Sequence, residues 1–155
     1  MTPRADLTER LRDGYVLTSD PGRVDLDRVH AWLSEQAYWA IGRERAVVER
    51  SVAGSRPYSL YAGDEQAACA RVVTDGATFA WICDVFVDEP HRGRGLGTWL
   101  VRSILEDLEA AGVYRCVLGT SDAHEVYRSC GFTALLRPDR WMEINLRAPR
   151  AVAVG

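Results

Sequence analysis

The sequence contains no lysine, and all 19 basic residues in its 155 residues are arginine. This absence excludes a phosphate-binding loop that ends in Gly-Lys-Ser/Thr, a lysine Schiff base and a lysine general base. Acidic residues number 22, so the net charge is −3, whereas a nucleic-acid-binding domain is expected to be basic. The composition therefore argues against these catalysts and against a nucleic-acid partner.

Long apolar runs are also absent. No stretch approaches the roughly 20 apolar residues that span a bilayer, and the first residues lack the apolar centre of a signal peptide. We therefore expect no membrane association and a cytoplasmic location. Hydrophobic residues make up 47% of the chain, and no linker rich in Pro, Gly or Ser divides it. We expect one domain over residues 1–155, with a core at about 14–147 and flexible ends.

Neither cysteine nor histidine occurs in a pattern that indicates a metal site. The four cysteines include no Cys-x-x-Cys pair and lie in or beside hydrophobic segments, which favours reduced, mostly buried thiols. The three histidines lack a second histidine or cysteine at metal-ligand spacing. The sequence therefore predicts no disulfide framework and no metal.

The first half of the chain changes from helical to strand periodicity. A short β-prone segment, Tyr15–Ser19, precedes two helical segments that begin at Asp25 and at about Gly42. After Pro57 the apolar residues alternate as in strands. Three strands joined by turns of the Gly-Asp and Asp-Gly type are predicted to form an antiparallel meander: Tyr58–Tyr61, Ala67–Thr74 and Phe79–Val87.

The second half begins with the strongest helical pattern, from Leu96 to about Ala111, with Gly112 at its C-terminal cap. A strand, a short helix and two further strands follow: Arg115–Gly119, Ala123–Cys130, one from Gly131-Phe132, and Trp141–Ile144. A strand–helix–strand crossover requires a parallel pair. The sequence therefore predicts an α/β (α+β) domain with a central mixed, mostly antiparallel sheet flanked by helices.

A glycine-rich turn, Arg92-Gly-Arg-Gly-Leu-Gly97, joins the strand that ends at Val87 to the long helix. The first turn of a helix has unpaired N–H groups that attract phosphate, and glycines allow the backbone to approach the phosphate closely. The dinucleotide pattern Gly-x-Gly-x-x-Gly does not fit, because its third glycine would fall on Thr98 or Leu100. The turn indicates a phosphate site of another kind, or only close packing of a helix on a strand.

Arg92-x-x-Gly95-x-Gly97 resembles the Gln/Arg-x-x-Gly-x-Gly/Ala motif of the GNAT superfamily of acyl-CoA-dependent N-acyltransferases. The strand that ends in Val85-Phe-Val87, and Tyr127-Arg-Ser-Cys-Gly-Phe132, resemble further segments of that family, so the resemblance is close over about residues 79–132. Asp122 departs from the pattern, because many members have Asn there. The resemblance implies an N-acetyltransferase fold with a parallel strand pair around an acetyl-CoA site.

The resemblance also implies how acetyl-CoA is held. The pantetheine arm would pair with the backbone near Val85 and Val87 like an added strand, and the glycine turn would hold the pyrophosphate. The implied cofactor-binding residues are Val85, Phe86, Val87, Arg92, Gly93, Arg94, Gly95, Leu96, Gly97 and Thr98. Tyr127 would be the general acid, since a phenol with a pKa of about 10 can protonate a departing thiolate. Its alternative role is packing beside Phe132.

Asp84 is the candidate for the group that takes a proton from the amine. It is expected to alternate with Ile82 and Phe86 on one face of a central strand, where burial would raise the pKa of its carboxyl. The alternatives are that Asp84 caps a loop or pairs with an arginine, or that an ordered water accepts the proton. Glu35, Glu125 and Glu143 are weaker candidates.

Three aromatic residues in the first half, Trp32, Tyr38 and Trp39, are candidates for the acceptor pocket, because this region usually shapes that pocket in the GNAT family. They would hold an alkyl or aryl amine, or a cation against their faces; otherwise they belong to the core. We predict a small-molecule primary amine as acceptor. The alternatives are a protein N-terminus or lysine, or a module that binds acyl-CoA without catalysis. The sequence also allows a homodimer.

Overall fold

The computed structural model describes residues 7–147, and a six-stranded sheet with the order β1-β2-β3-β4-β5-β6 lies at its centre. The strands are Glu9–Arg12 (β1), Tyr15–Thr18 (β2), Arg56–Ala62 (β3), Glu65–Thr74 (β4), Ala80–Val87 (β5) and Cys116–Val117 (β6). Successive strands from β1 to β5 pair antiparallel, whereas β5 and β6 pair in parallel. The predicted mixed, mostly antiparallel sheet is confirmed.

Helices cover both faces of this sheet. They are Leu26–Glu35 (α1), Arg45–Ala53 (α2), Leu96–Ala110 (α3) and His124–Ser129 (α4). The apolar stripe of α3 packs with Leu60 and Ile82 in one core cluster, while α1 and α2 pack with Cys69 and Phe86 in a second cluster. Within residues 7–147, no helix has the length and apolar character needed to cross a membrane.

The predicted ends of α3 are confirmed almost to the residue. Leu96, Leu100, Ile104 and Leu108 are buried on one side of the helix. After the last helical turn, Gly112 adopts a φ of 81°, and the N–H of Val113 donates to the carbonyl of Leu108 over 3.0 Å. This left-handed glycine cap ends the helix and turns the chain towards β6.

A β-bulge interrupts β5 where the site will form. Cys69 of β4 is opposite Phe86 and Arg71 is opposite Cys83, so Asp84 and Val85 together face a single residue of β4. Asp84 has a φ of 51°, in the left-handed region. The extra residue exchanges the two faces, and Ile82 and Phe86 therefore pack in different clusters. The prediction that Asp84, Ile82 and Phe86 share one face is wrong for this reason.

Strand β6 is shorter than predicted and pairs only with Ala80 and Trp81 at the start of β5. Beyond Trp81 the two parallel strands separate. Among the described residues, β5 from Cys83 to Val87 consequently has no strand on its β6 side. The separation leaves an open slot next to the bulge.

Three predictions about the ends of the chain are wrong. Gly131, with a φ of 101°, follows the end of α4 and does not begin a strand, and the segment Trp141–Ile144 makes no sheet pairs. Trp141 instead packs against Phe79, with ring centres 6.3 Å apart. The flexible tail predicted over the first 14 residues fails at Glu9–Arg12, which form β1. The tail predicted from Pro149 lies outside the described residues.

Candidate active site

A cavity of about 940 Å³ opens beside the free edge of β5. Its walls come from β5, from the segment between α1 and α2, and from the segment between β6 and α4. The cavity brings together eight residues that the sequence assigns to donor binding, catalysis or acceptor binding: Tyr38, Trp39, Asp84, Val85, Phe86, Val87, Arg92 and Tyr127. This cavity is therefore the candidate active site.

The free edge of β5 presents main-chain groups to the slot. The N–H of Asp88 donates to the carbonyl of Ala67 on β4 over 2.9 Å. Since N–H groups of a regular strand alternate in direction, that of Val87 points away from β4. Arg92 Nε donates to the Val87 carbonyl over 2.9 Å, and its guanidinium lies 5.2 Å above the Phe86 ring. An extended ligand with amide groups can pair along this edge.

The glycine turn lies at the far end of the slot and provides unpaired donors. Gly93 and Gly95 have φ values of 79° and 73°, which favour glycine. Gly95 is the N-cap of α3 and contributes no side-chain cap. Within the described part of the chain, the N–H groups of Leu96, Gly97 and Thr98 have no acceptor. The first turn of α3 is therefore suited to a phosphate.

Arginine side chains fix the glycine turn in place and lie beside it. Arg94 Nη1 is 3.1 Å from the hydroxyl of Tyr15, which also contacts Nδ1 of His91 at 2.8 Å. These contacts fix the turn to β2. Arg12 of β1 lies with its guanidinium 5.8 Å from the Trp99 ring centre, and its Nη2 is 3.8 Å from the position that a Cβ on Gly95 would occupy. Sequence analysis missed Arg12, because the strand that contains it is short and largely polar.

Tyr127 lies on the cavity wall with its ring packed edge-on against Phe132, 6.0 Å between ring centres. Its hydroxyl has no hydrogen-bond partner within residues 7–147. Burial raises the pKa of Tyr127, and the nearby Tyr38 and Asp122 add to the rise. The phenol consequently keeps its proton at neutral pH. Its ring packs and its hydroxyl remains available, so the two roles considered for it are compatible.

Asp84 is almost fully buried, and both of its carboxylate oxygens are bound. Arg71 Nε and Arg43 Nη1 donate to Oδ2 over 2.7 and 2.8 Å, and Trp39 Nε1 donates to Oδ1 over 2.9 Å. Burial by itself raises the pKa of Asp84, but the hydrogen bond and charge of Arg71, with Trp39 and Arg43, outweigh it and lower the pKa. The predicted rise is wrong. Pairing with arginine, one of the alternatives considered, favours a positioning role for this carboxylate.

The three aromatic candidates for the acceptor pocket divide into two groups. Trp32 is only 4% exposed and stacks on Phe86 with ring centres 5.5 Å apart, so its ring belongs to the core. Its assignment to the acceptor pocket is wrong. Tyr38 and Trp39 line the cavity as predicted, with their rings edge-to-face at 5.0 Å. The Tyr38 hydroxyl accepts from the N–H of Ser121 over 2.9 Å, which lowers the pKa of Tyr38.

Two arginines and two tryptophans of the cavity wall were not among the predicted site residues: Arg43, Arg71, Trp81 and Trp141. Glu143, which also lines the cavity, was predicted only as a weaker candidate for the proton acceptor. Arg71 had a readable signal, because it is a lone charge inside the apolar strand Ala67–Thr74. Trp81 lies on β5, the strand that also contains the predicted site residues Asp84 and Val85–Val87. The alternation of apolar residues along this strand did not show that its side chain is exposed. No group of His, Cys, Asp and Glu side chains suited to a metal ion occurs within residues 7–147.

Comparison with known proteins identifies the same family that the sequence motifs resemble. Residues 26–132 match the model of the acetyltransferase (GNAT) family. A solved structure from Xanthomonas campestris pv. campestris, described as an inferred GNAT-family acetyltransferase, is 36% identical with a TM-score of 0.80 over 85% of this chain and 93% of that chain.

Two relatives by sequence support this match. An inferred acetyltransferase of Gibberella zeae is 25% identical over 137 residues, or 75% of this chain and 77% of that protein. An inferred glucosamine 6-phosphate N-acetyltransferase of Oryza sativa subsp. japonica is 34% identical over 86 residues, which are 47% of this chain and 52% of that protein. Because the family match spans most of the chain, the protein belongs to the GNAT family of acetyltransferases.

Proposed function

We propose that the protein transfers the acetyl group of acetyl-CoA to the primary amine of a small molecule by direct aminolysis of the thioester. One observation carries the proposal. The free edge of β5 lines the cavity beside Tyr127, and its last residue, Val87, lies next to the first turn of α3, where a Cβ on Gly97 would be 3.8 Å from Val87 Cγ2. This edge offers main-chain partners for a pantetheine arm, and the helix terminus beyond it suits a pyrophosphate.

The donor end fits acetyl-CoA in charge as well as in shape. Arg92 and Arg94 lie in the turn, and Arg12 approaches it from β1. Guanidinium groups near a helix N-terminus bind phosphate oxygens strongly. The N–H of Val87, which points into the slot, is a donor for the oxygen of the thioester as it becomes an oxyanion.

The chemical step needs a proton for the departing thiolate. In the proposed step the neutral amine attacks the thioester carbon, the carbon–sulfur bond breaks, and Tyr127 donates its proton to the sulfur. The raised pKa of Tyr127 supports this assignment, because the phenol is fully protonated when the thiolate forms. The acetylated nitrogen then loses a proton, which restores the phenol.

The acceptor end supports a small molecule over a protein. The bond between the Tyr38 hydroxyl and the N–H of Ser121 joins the segment after α1 to the segment before α4. Tyr38 lines the cavity and Ser121 lies between the lining residues Thr120 and Asp122, so this bond ties two walls of the cavity together. A protein N-terminus or a lysine on a protein surface requires an open groove. A protein that only binds acyl-CoA would not need the hydroxyl of Tyr127 to face the cavity.

The proposal is tested by donor binding and turnover together. Saturating acetyl-CoA should raise the melting temperature by about 5–10 °C, as expected for a ligand at 100 times its Kd and a chain of this length. Acetyl-pantetheine, which lacks the nucleotide and pyrophosphate, should give a much smaller shift at the same concentration. A panel of small primary amines should then yield N-acetylated products. An unchanged melting temperature with acetyl-CoA would contradict the proposal.

A further inference from the structure

Exposed aromatic rings are concentrated in the acceptor part of the cavity. Within residues 7–147, six aromatic side chains have at least about a third of their surface exposed: Tyr38, Trp39, Phe79, Trp81, Tyr114 and Trp141. Four of these line the 940 Å³ cavity, namely Tyr38, Trp39, Trp81 and Trp141. Indole rings in contact with water bind apolar and aromatic partners readily, because covering them removes a large apolar area from solvent.

These rings are fixed before any ligand binds. Trp39 donates its indole N–H to Asp84, and Tyr38 packs edge-on against Trp39. Trp141 packs against Phe79, and the main chain of Trp81 is anchored in the sheet by pairing with Val73 and Val117. A wall of immobilised rings loses little conformational entropy when a ligand docks on it. The cavity is therefore preorganised for a flat or compact apolar group.

The charges at this end favour a cation over an anion on the acceptor. The cavity wall contains three arginines and three carboxylates, and each arginine already donates to an acceptor: Arg43 and Arg71 to Asp84, and Arg92 to the Val87 carbonyl. Of the three carboxylates in the cavity wall, Asp84 is ion-paired and Asp122 accepts from the Thr120 hydroxyl over 3.4 Å. Glu143 has no ion pair or hydrogen bond within the described part of the chain. No net positive charge is left for a phosphate or carboxylate on the acceptor.

We propose that the acceptor is a primary amine on an aromatic or compact apolar group, an arylalkylamine in the simplest case. Its ring lies against the indoles of Trp39, Trp81 and Trp141, and its ammonium pairs with Glu143 until it loses a proton to water and attacks the thioester as the neutral amine. This inference rests on the proposed acetyl transfer and names the acceptor class for the same site. It differs from the amino-sugar phosphate for which the Oryza sativa relative is named.

Three acceptors separate the classes: 2-phenylethylamine for an aromatic amine, glucosamine 6-phosphate for an anionic amine and putrescine for a polyamine. Propylamine serves as the reference for an amine without a ring. We expect kcat/KM for 2-phenylethylamine to exceed that for propylamine about tenfold or more, because ring burial contributes to transition-state binding. Greater kcat/KM for glucosamine 6-phosphate or putrescine than for 2-phenylethylamine would overturn the inference.

Variants of Trp81 show whether the rings cause this preference. In Trp81→Ala the advantage of 2-phenylethylamine over propylamine should fall several-fold, whereas Trp81→Phe keeps a ring and should retain most of it. The acetyl-CoA-induced rise in melting temperature confirms that each variant is folded. An advantage that is the same in Trp81→Ala and in the wild type would contradict a ring contact.

The charge part is tested with Glu143→Gln. This variant should raise KM for 2-phenylethylamine about tenfold with little change in acetyl-CoA binding, because one ion pair to the ammonium is lost. Glu49→Gln is the matched control, since Glu49 is exposed on α2, pairs with Arg45 and lies outside the cavity wall. An equal KM in Glu143→Gln and the wild type would remove Glu143 from the acceptor site.

Failure of the proposed acetyl transfer and failure of the proposed acceptor class would give different results. If acetyl-CoA binds and no amine of any class is acetylated, the proposed acetyl transfer itself is wrong. If amines are acetylated but those with rings hold no advantage, only the acceptor class is wrong.

Discussion

Tyr127 is the residue on which the proposed chemical step depends. Its ring is held by Phe132, while its hydroxyl faces the cavity without a partner within residues 7–147. A general acid needs this combination, since the ring fixes the position and the free hydroxyl supplies the proton. The raised pKa adds that the proton is present at neutral pH.

Tyr127→Phe keeps the ring contact and removes only the hydroxyl. We expect kcat to fall about 100-fold or more, as is usual for the loss of a general acid, with little change in acetyl-CoA affinity. Steady-state kinetics and a thermal-shift titration measure the two quantities. Tyr114→Phe is the control, because Tyr114 is 78% exposed and lies outside this cavity. Wild-type turnover in Tyr127→Phe would leave Tyr127 with a packing role only.

Asp84→Asn tests the positioning role of the buried carboxylate. Arg43 and Arg71 would lose their shared anion, so we expect the free energy of unfolding to fall by about 3 kcal/mol or more. The folded-state pKa of Asp84 lies below its ordinary value, so its ionised form stabilises the fold above about pH 4. That stabilisation is lost as the pH falls through the lowered pKa.

The difference between wild type and Asp84→Asn should therefore be constant from neutral pH to about pH 5 and shrink below about pH 4. Urea denaturation across this range measures it. Asp139→Asn serves as control, because Asp139 pairs with Arg137 at the surface and should contribute little. A difference that grows on acidification would show that Asp84 is protonated in the fold, as a general base with a raised pKa would require.

The sequence was sufficient to predict that Tyr127 and Asp84 lie at one cavity. It was insufficient to predict the direction in which the pKa of Asp84 is shifted. Burial of a carboxylate on a central strand could be expected from the apolar residues around it. Its two guanidinium partners could not, because Arg71 lies on the neighbouring strand and Arg43 in a loop, and both approach Asp84 only in the folded chain.

At the scale of elements, the bulge in β5 and the short β6 together create the donor slot. The bulge exchanges the faces of β5 at Asp84, and β6 stops pairing after Trp81. The slot ends at the N-terminus of α3, where the glycine turn leaves three N–H groups unpaired within residues 7–147. Each element contributes one part of a single extended binding surface.

Gly95→Glu tests the phosphate end of this surface. A carboxylate on the N-cap of α3 would compete with phosphate, so we expect the acetyl-CoA-induced rise in melting temperature to disappear. Gly76→Glu is a matched control, because Gly76 has the same φ of 73° as Gly95 and nothing lies within 4 Å of its Cβ position. The two variants should lose similar stability. Retained acetyl-CoA binding in Gly95→Glu would contradict the phosphate assignment.

The sequence predicted the elements with strong local signals and failed where long-range pairing decides. The meander from β3 to β5 and the helix α3 follow from alternation, turn pairs and a regular apolar stripe. The bulge was missed because uninterrupted alternation was assumed through Asp84. Trp141–Ile144 has apolar residues typical of a strand, but a strand requires a paired neighbour, and the segment packs Trp141 on Phe79 instead.

At the scale of the whole molecule, the sheet separates two tasks. In the proposed reaction the slot between β5 and β6 receives the donor, and the segments after α1 and before α4, linked by Tyr38 and Ser121, enclose the acceptor side. Both lead to the same cavity, in which Tyr127 lies. The arrangement accounts for a two-substrate reaction with direct transfer, because donor and acceptor meet without a covalent enzyme intermediate.

The most direct test of this account is a balance of the acetyl group in one reaction. The protein is mixed with isotope-labelled acetyl-CoA and 2-phenylethylamine, and free CoA and N-acetylated amine are quantified over time by mass spectrometry. We predict equal amounts of the two products, with the label on the amine nitrogen, and strongly reduced formation of both in Tyr127→Phe. Release of CoA without acetylated amine would contradict direct transfer to a small-molecule amine. The same conclusion would follow if CoA release did not exceed the rate without protein for this and every other primary amine tried.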